Sequence, residues 1–210
     1  MLDKNWAVAW MKATAAEIAE HRVALSELDR AIGDGDHGEN LDRGFQAVLG
    51  KLDAAYVSPA EVFKMVAMTL MSVVGGAAGP LYGTAFLRAS SALGDAGSLD
   101  AEAVSAVLTA ARDGIVARGK AAPGDKTMID AWTPAVEAAD EAVQNGLAAE
   151  EVLAAAAAAA HEGARETEPL IAHKGRASYL AERSAGHRDP GAQSTALILA
   201  AAARTAREAA

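Results

Sequence analysis

Trp6, Trp10, Thr14, Ile18, His21, Leu25, Leu28 and Ile32 recur at steps of three and four residues, the spacing that lines one face of an α-helix and that no β-strand reproduces. A mostly apolar stripe of this length commits the segment to one long helix whose face must be buried by other helices. Gly33 and Gly35 mark its end. The pattern then repeats. Asn40 to about Ala54 carries Leu41, Phe45, Val48 and Leu49 on one side. Ser58-Pro59-Ala60-Glu61 offers an N-cap, a proline at the first helical position and a capping-box glutamate, so a third helix starts near Pro59 and stops near Gly75-Gly76. Gly79-Pro80 opens a fourth, running through Leu81, Phe86 and Leu87. Further helices are expected from about Asp100 to Arg118, Thr127 to Val143, Ala148 to Glu166 and Gly191 to Arg207.

Aromatic residues make up 4% of the chain, and no alternating run of β-branched and aromatic residues is bounded by turns. The expected class is therefore all-α with eight helices. A length of 210 residues with 51% hydrophobic content suffices for one sizeable core, and a single domain over residues 1–210 is expected.

Composition narrows the chemistry. The absence of cysteine removes disulfides, thiolate nucleophiles and thiolate-bound metals. A net charge of −9 opposes broad attraction to nucleic acid or an anionic membrane surface. The alanine run Ala154–Ala160 is bracketed by Glu150, Glu151, His161 and Glu162, too short for a membrane span, and the N-terminus has no basic region ahead of an apolar one. A cytoplasmic location is expected. Between the seventh and eighth helices lies a long polar stretch, Thr167 to Pro190, which reads as a site element or lid, because long loops in compact domains are commonly functional.

The densest chemical signal is the run from Asp29 to Asn40, in which Asp29, Asp34 and Asp36 are interleaved with Gly33, Gly35 and Gly38 at a helix-to-helix junction. Like charges this close raise one another's pKa or recruit cations, and hard oxygen ligands on a permissive glycine backbone suit Mg²⁺. A lone Asp-Gly-Asp is equally readable as an acidic turn in which Asp caps one helix and Gly ends another. A calcium EF-hand fails: with Asp34 and Asp36 at positions one and three, Gly38 replaces a ligand, Glu39 the glycine and Phe45 the final glutamate. The near P-loop Gly114–Ala121 fails as well, since Ala121 stands where Ser or Thr must hold the metal and a helix precedes it where a strand is required.

Five spaced blocks taken together carry a family likeness: Asp34-Gly35-Asp36-His37-Gly38, Gly75 through Thr84, Pro123 through Asp130, Lys174 through Leu180, and Gly186 through Ala192. In this order over essentially the whole length, the chain closely resembles the L subunit of dihydroxyacetone kinase. The resemblance implies an eight-helix antiparallel barrel with ADP or ATP bound at one end. It implies two Mg²⁺ on Asp29, Asp34 and Asp36, and a nucleotide approached by His37, Gly38, Glu39, Asn40, Ala78, Gly79, Gly119, Met128, Arg176, Asp189, Pro190 and Gly191. Arg176 on the long loop is the candidate cationic clamp on the phosphates, with Lys174 beside it.

The resemblance further implies a small ketose held on a separate K subunit, and bound ADP recharged by a phosphotransferase-system M subunit. Alternatives are a kinase subunit using free ATP on another triose or tetrose, and a nucleotide-dependent partner of a transcriptional regulator. The oligomeric state, a homodimer included, is left open. Two departures stand out. Ala78 replaces a serine common in relatives, which removes a hydroxyl but keeps the backbone N–H, and Glu39 brings an unusual negative charge. The nucleotide domain of fatty-acid kinase is a rival, but it has threonine after the acidic triplet where this chain has His37.

Overall fold

A computed structural model describes residues 1–209. It contains eight α-helices: α1 (Lys4–Ile32), α2 (His37–Leu49), α3 (Pro59–Val73), α4 (Ala78–Leu93), α5 (Ala101–Gly119), α6 (Ile129–Gln144), α7 (Ala149–Glu166) and α8 (Pro190–Ala209). Each helix packs on the next, and α8 returns to α1, closing the ring. The expected all-α barrel is thus the observed one. A two-residue antiparallel pair, β1 (Leu2–Asp3) with β2 (Ser98–Leu99), is the only departure from helix and turn among the described residues; it ties the N-terminus to the α4–α5 connection.

Local chemistry sets the helix ends. Asp3 caps α1, its carboxylate accepting from the N–H groups of Asn5 (2.8 Å) and Trp6 (3.2 Å). At α3, Ser58 Oγ accepts from Glu61 N, while the Glu61 carboxylate reaches one residue further back than a simple capping box, to Val57 N. Asp100 caps α5 through Ala103 N, and Glu151 closes the start of α7 on Ala148 N.

The stripe read from the sequence faces inward. Trp6 and Trp10 stack with ring centroids 5.2 Å apart, and Phe63 meets both edge-on. Trp10 Nε1 donates to Ile198 O at 2.9 Å, so the closure of α1 on α8 includes a buried polar tie. Alanines 192, 196, 201, 202, 203 and 206 of α8 are buried, which lets backbones approach closely. Between α6 and α7 the approach is closer still. Pro134 inside α6 has no N–H for the Asp130 carbonyl, and a Cβ added to Gly163 of α7 lies 2.3 Å from that carbonyl oxygen. Gly163→Ala should therefore cost about 1–2 kcal/mol net, overpacking against rigid backbone exceeding the gain in helix propensity; urea denaturation of the variant measures it.

Up-and-down connectivity has a direct consequence for function. The even-numbered helices all begin, and the odd-numbered ones all end, at the same mouth of the barrel. The connections gathered there are residues 33–36, 74–77, 120–128 and 167–189, which contain or adjoin all five sequence blocks.

Candidate functional site

Two adjoining cavities open at that mouth. One, of about 170 Å³, is lined by Asp29, Asp34, Asp36, His37, Asn40, the Gly75–Ala78 turn, Gly175–Ala177, Asp189 and Pro190. The other, of about 480 Å³, is mainly apolar, with Leu81, Ile115, Met128 and Ile129 among its walls and Arg118, Gly119 and Lys174 at its edge. His37, Ala77, Ala78, Gly175, Asp189 and Pro190 border both, so the two form one cleft with an acidic end and an apolar end.

The acidic end is built by the α1–α2 turn. Gly35 takes φ +78°, a left-handed conformation that folds the turn back so that one carboxylate oxygen each from Asp29, Asp34 and Asp36 lies within 4.8 Å of the others. Asp29 Oδ2 accepts from Asp36 N (2.8 Å) and His37 N (3.1 Å), capping α2 from the preceding helix. Gly33 leaves the other oxygen room, since a Cβ there would meet Asp29 Oδ1 at 2.2 Å. Burial pushes the Asp29 carboxyl up, the two N–H groups oppose this, and the charges of Asp34 and Asp36 add to the rise. An all-oxygen donor set that strains to hold its own charge fits a hard divalent cation. Arg176 occupies part of that role here, its Nη1 lying 2.6 Å from Asp34 Oδ2.

His37 Nε2 is hydrogen-bonded to Ser194 Oγ at 2.9 Å, and that hydroxyl lies 2.6 Å from the buried Tyr82 OH, which also donates to Gly191 O. The chain of contacts joins the starts of α2, α4 and α8. Burial pushes the His37 imidazole down to about 4, so it is neutral at pH 7 and adds a hydrogen-bonding group, not a cation. With the N-termini of α2, α4 and α8 all at the cleft, backbone N–H groups and helix dipoles make it receptive to anions.

Asp189 caps α8 through Ala192 N at 2.7 Å. Its burial, together with the charges of Asp130 and Asp29, pushes its carboxyl up to about 7 against the opposing pull of Ala192 N–H and Lys126. The unfolded chain releases this proton near pH 4, while the folded chain keeps it until about pH 7. Between those values the folded state binds more protons, so stability falls as pH rises. This group should contribute a decline of about 3–4 kcal/mol across that window in metal-free protein, and Asp189→Asn should flatten it. Urea denaturation of both proteins at pH 5 and pH 8 measures the difference in slope.

Three residues that the resemblance brings to the nucleotide, Gly38, Glu39 and Gly79, line neither cavity. Successive helical residues turn by about 100°, so of the four starting α2, His37 and Asn40 share the cleft face while Gly38 and Glu39 rotate away. Gly38 packs on α1, where a Cβ would sit 2.0 Å from Arg22 O. Glu39 is exposed and paired with Arg22 at 3.0 Å. Gly79 likewise serves packing, with Val74 O at 2.3 Å from its imagined Cβ. Asp29, Asp34, Asp36, His37, Asn40, Ala78, Arg176, Asp189 and Pro190 line the acidic cavity, and Gly119, Met128 and Gly191 the apolar one. Helix α2 also starts earlier than its hydrophobic pattern suggests, because its cap comes from Asp29. The apolar wall of Leu81, Ile115 and Ile129 was not anticipated; the signal available was that each stands near the mouth end of its helix.

A family model for the DAK2 domain matches residues 31–204. The chain is 47% identical over 208 residues to the ADP-binding subunit of PEP-dependent dihydroxyacetone kinase 1 of Listeria innocua, covering 97% of each chain. The chain belongs to the DAK2 domain family. It is also 42% identical to the ADP-binding subunit of the PEP-dependent dihydroxyacetone kinase of Escherichia coli K12, over 99% of each. Among solved structures, this DAK2 chain matches the dihydroxyacetone kinase from C. freundii in complex with AMP-PNP and Mg²⁺, with a TM-score of 0.72 and 28% identity over 94% of the present chain. It spans about a third of that longer chain, 33%. Among the described residues of the DAK2 chain, no helix is long and apolar enough to cross a membrane.

Proposed function

We propose that this chain is the nucleotide-holding subunit of a cytoplasmic dihydroxyacetone kinase, acting as one unit over residues 1–210. It holds ADP as a cofactor, accepts a phosphoryl group from a phosphotransferase-system M subunit, and passes it to dihydroxyacetone held on a K subunit. The observation that carries this reading is the cleft itself. A three-carboxylate cluster and an apolar slot are joined across His37, Ala78, Asp189 and Pro190, the layout a magnesium-bound polyphosphate attached to a flat apolar base requires. Relatives named as ADP-binding subunits over nearly their whole length support it.

Asp29, Asp34 and Asp36 would hold the metal, two Mg²⁺ in the full reading. Bound magnesium supplies the charge neutralisation that phosphoryl transfer chiefly needs. The protein's own groups do the rest. The N-termini of α2, α4 and α8 direct backbone N–H groups at the phosphates, and neutral His37, oriented by Ser194, offers a hydrogen bond without competing for the metal's ligands. Leu81, Ile115, Met128 and Ile129 exclude water around the base. Arg176 stands at the cleft's rim to steady the transferring group.

Reconstitution tests the phosphoryl route. The chain is mixed with K and M subunits and the phosphotransferase proteins, and dihydroxyacetone phosphate is followed with either phosphoenolpyruvate or ATP as the source. Turnover with phosphoenolpyruvate and only substoichiometric ADP is the expected result. Turnover that requires ATP in step with product would replace this route by an ATP-dependent one.

A further inference from the structure

Among the described residues, Lys126 is the one lysine whose side chain the fold hides, at 1% exposure, and it lines neither cavity. Its backbone sits at φ +61°, which directs the side chain inward from the α5–α6 connection. There Nζ donates to three backbone carbonyls: Glu168 O at 3.2 Å, Leu170 O at 2.9 Å and Ser184 O at 2.6 Å. An ammonium has three N–H donors and no acceptor, so three carbonyls satisfy it completely. A neutral amine would turn a lone pair on one of them. Burial pulls the Lys126 pKa down, while the Asp189 and Glu168 charges pull it back up.

The three carbonyls belong to the two limbs of one strap, residues 167–189. Glu168 and Leu170 lie on the outgoing limb, and Ser184 begins the returning limb as the last residue of the 3-10 segment Arg176–Ser184. Neighbouring bonds converge on the same clamp: Gly186 N to Glu168 O (2.8 Å), Ala172 N to Ser184 Oγ (2.8 Å), His173 N to Asp125 O (3.0 Å) and Asp189 N to Thr167 Oγ1 (2.9 Å). Beyond the clamp, a small apolar cluster of Ile32 with Ala172, Ala177 and Leu180 packs the strap on the end of α1, and Arg176 pairs with Asp34. The strap carries Lys174 to Ala177 to the cleft and returns to Asp189.

We propose that Lys126 is a positioning residue: its ammonium gathers both limbs of the strap at their base and thereby sets Arg176 over the acidic end of the cleft. The clamp is a property of the fold alone; its effect on turnover rests on the phosphoryl-transfer reading above.

The test uses Lys126→Met and Lys126→Cys in the full chain. In Lys126→Met, backbone amides of residues 167–189 should exchange with deuterium faster by about tenfold or more, since the bonds that close the strap lose their anchor, while amides inside α1, α3 and α8 keep their rates. The chain has no other cysteine, so the unfolded Lys126→Cys chain can be aminoethylated and refolded to restore an ammonium at lysine's length. Aminoethylation should restore slow strap exchange and ethylation should not. In the reconstituted reaction, Lys126→Met should lower turnover, and adding Arg176→Ala should lower it little further, because both act through the same guanidinium. Unchanged strap exchange in Lys126→Met, equal rescue by the ethyl group, or fully additive losses in the double variant would each overturn the proposal. Wild-type protein without turnover would overturn the proposed function instead, and the exchange and rescue results would still decide the clamp.

Discussion

Asp34→Ala is expected to raise the Kd for magnesium-ADP by about a hundredfold or more while leaving the fold's stability nearly unchanged. The two effects separate because Asp34 has little to do with packing. Its carboxylate is partly exposed, and its one ion pair, to an Arg176 that is itself mostly exposed, is of the kind worth about 0–1 kcal/mol. Removing it also relieves repulsion on Asp29. A metal site reduced from three carboxylates to two, by contrast, loses both a donor and the charge that neutralises the cation. Calorimetric titration of ADP at fixed magnesium, beside thermal melts of the metal-free proteins, reads both quantities. Asp29→Ala should lower affinity similarly but also destabilise the protein, because that carboxylate caps α2.

Arg176→Ala should lower turnover in the reconstituted kinase by about 10²–10³-fold and weaken ADP binding much less. The side chain reaches the acidic cavity from the strap and is paired with Asp34 in the structure described here. A cation that replaces the guanidinium at Asp34 leaves Arg176 free to follow the phosphoryl group, whose charge disperses most in the transition state. Arg176→Lys should recover only part of the loss, since a point charge cannot make the paired contacts of a planar fork. Initial rates at saturating ADP, set against titrations of the same variants, distinguish a transition-state effect from a binding effect.

The helices were legible in the sequence because each announces itself locally: a stripe at Trp6, Trp10 and Ile18, a cap at Ser58, a proline at Pro59. The carboxylate cluster was legible for the same reason, its three members lying within eight residues of sequence. What escaped depends on partners far along the chain. The early start of α2 depends on Asp29 bonding to residues seven and eight positions later. The family resemblance implies Glu39 at the nucleotide, whereas the helix carries its side chain toward Arg22. The role of Lys126 has no local signature, because its three acceptors lie 42 to 58 residues away. The 3-10 segment of the strap is only nine residues long and mostly polar, so the strap's shape is hidden in the sequence, though its length points to function.

The central claim, that this cleft holds a magnesium-bound nucleotide, is tested most directly by purifying the chain under native conditions, denaturing it, and identifying any released small molecule by mass spectrometry. Near-stoichiometric ADP from the wild type, lost in Asp34→Ala, is the predicted result. Wild-type protein that releases no nucleotide, and binds neither ADP nor ATP at millimolar magnesium, would contradict it.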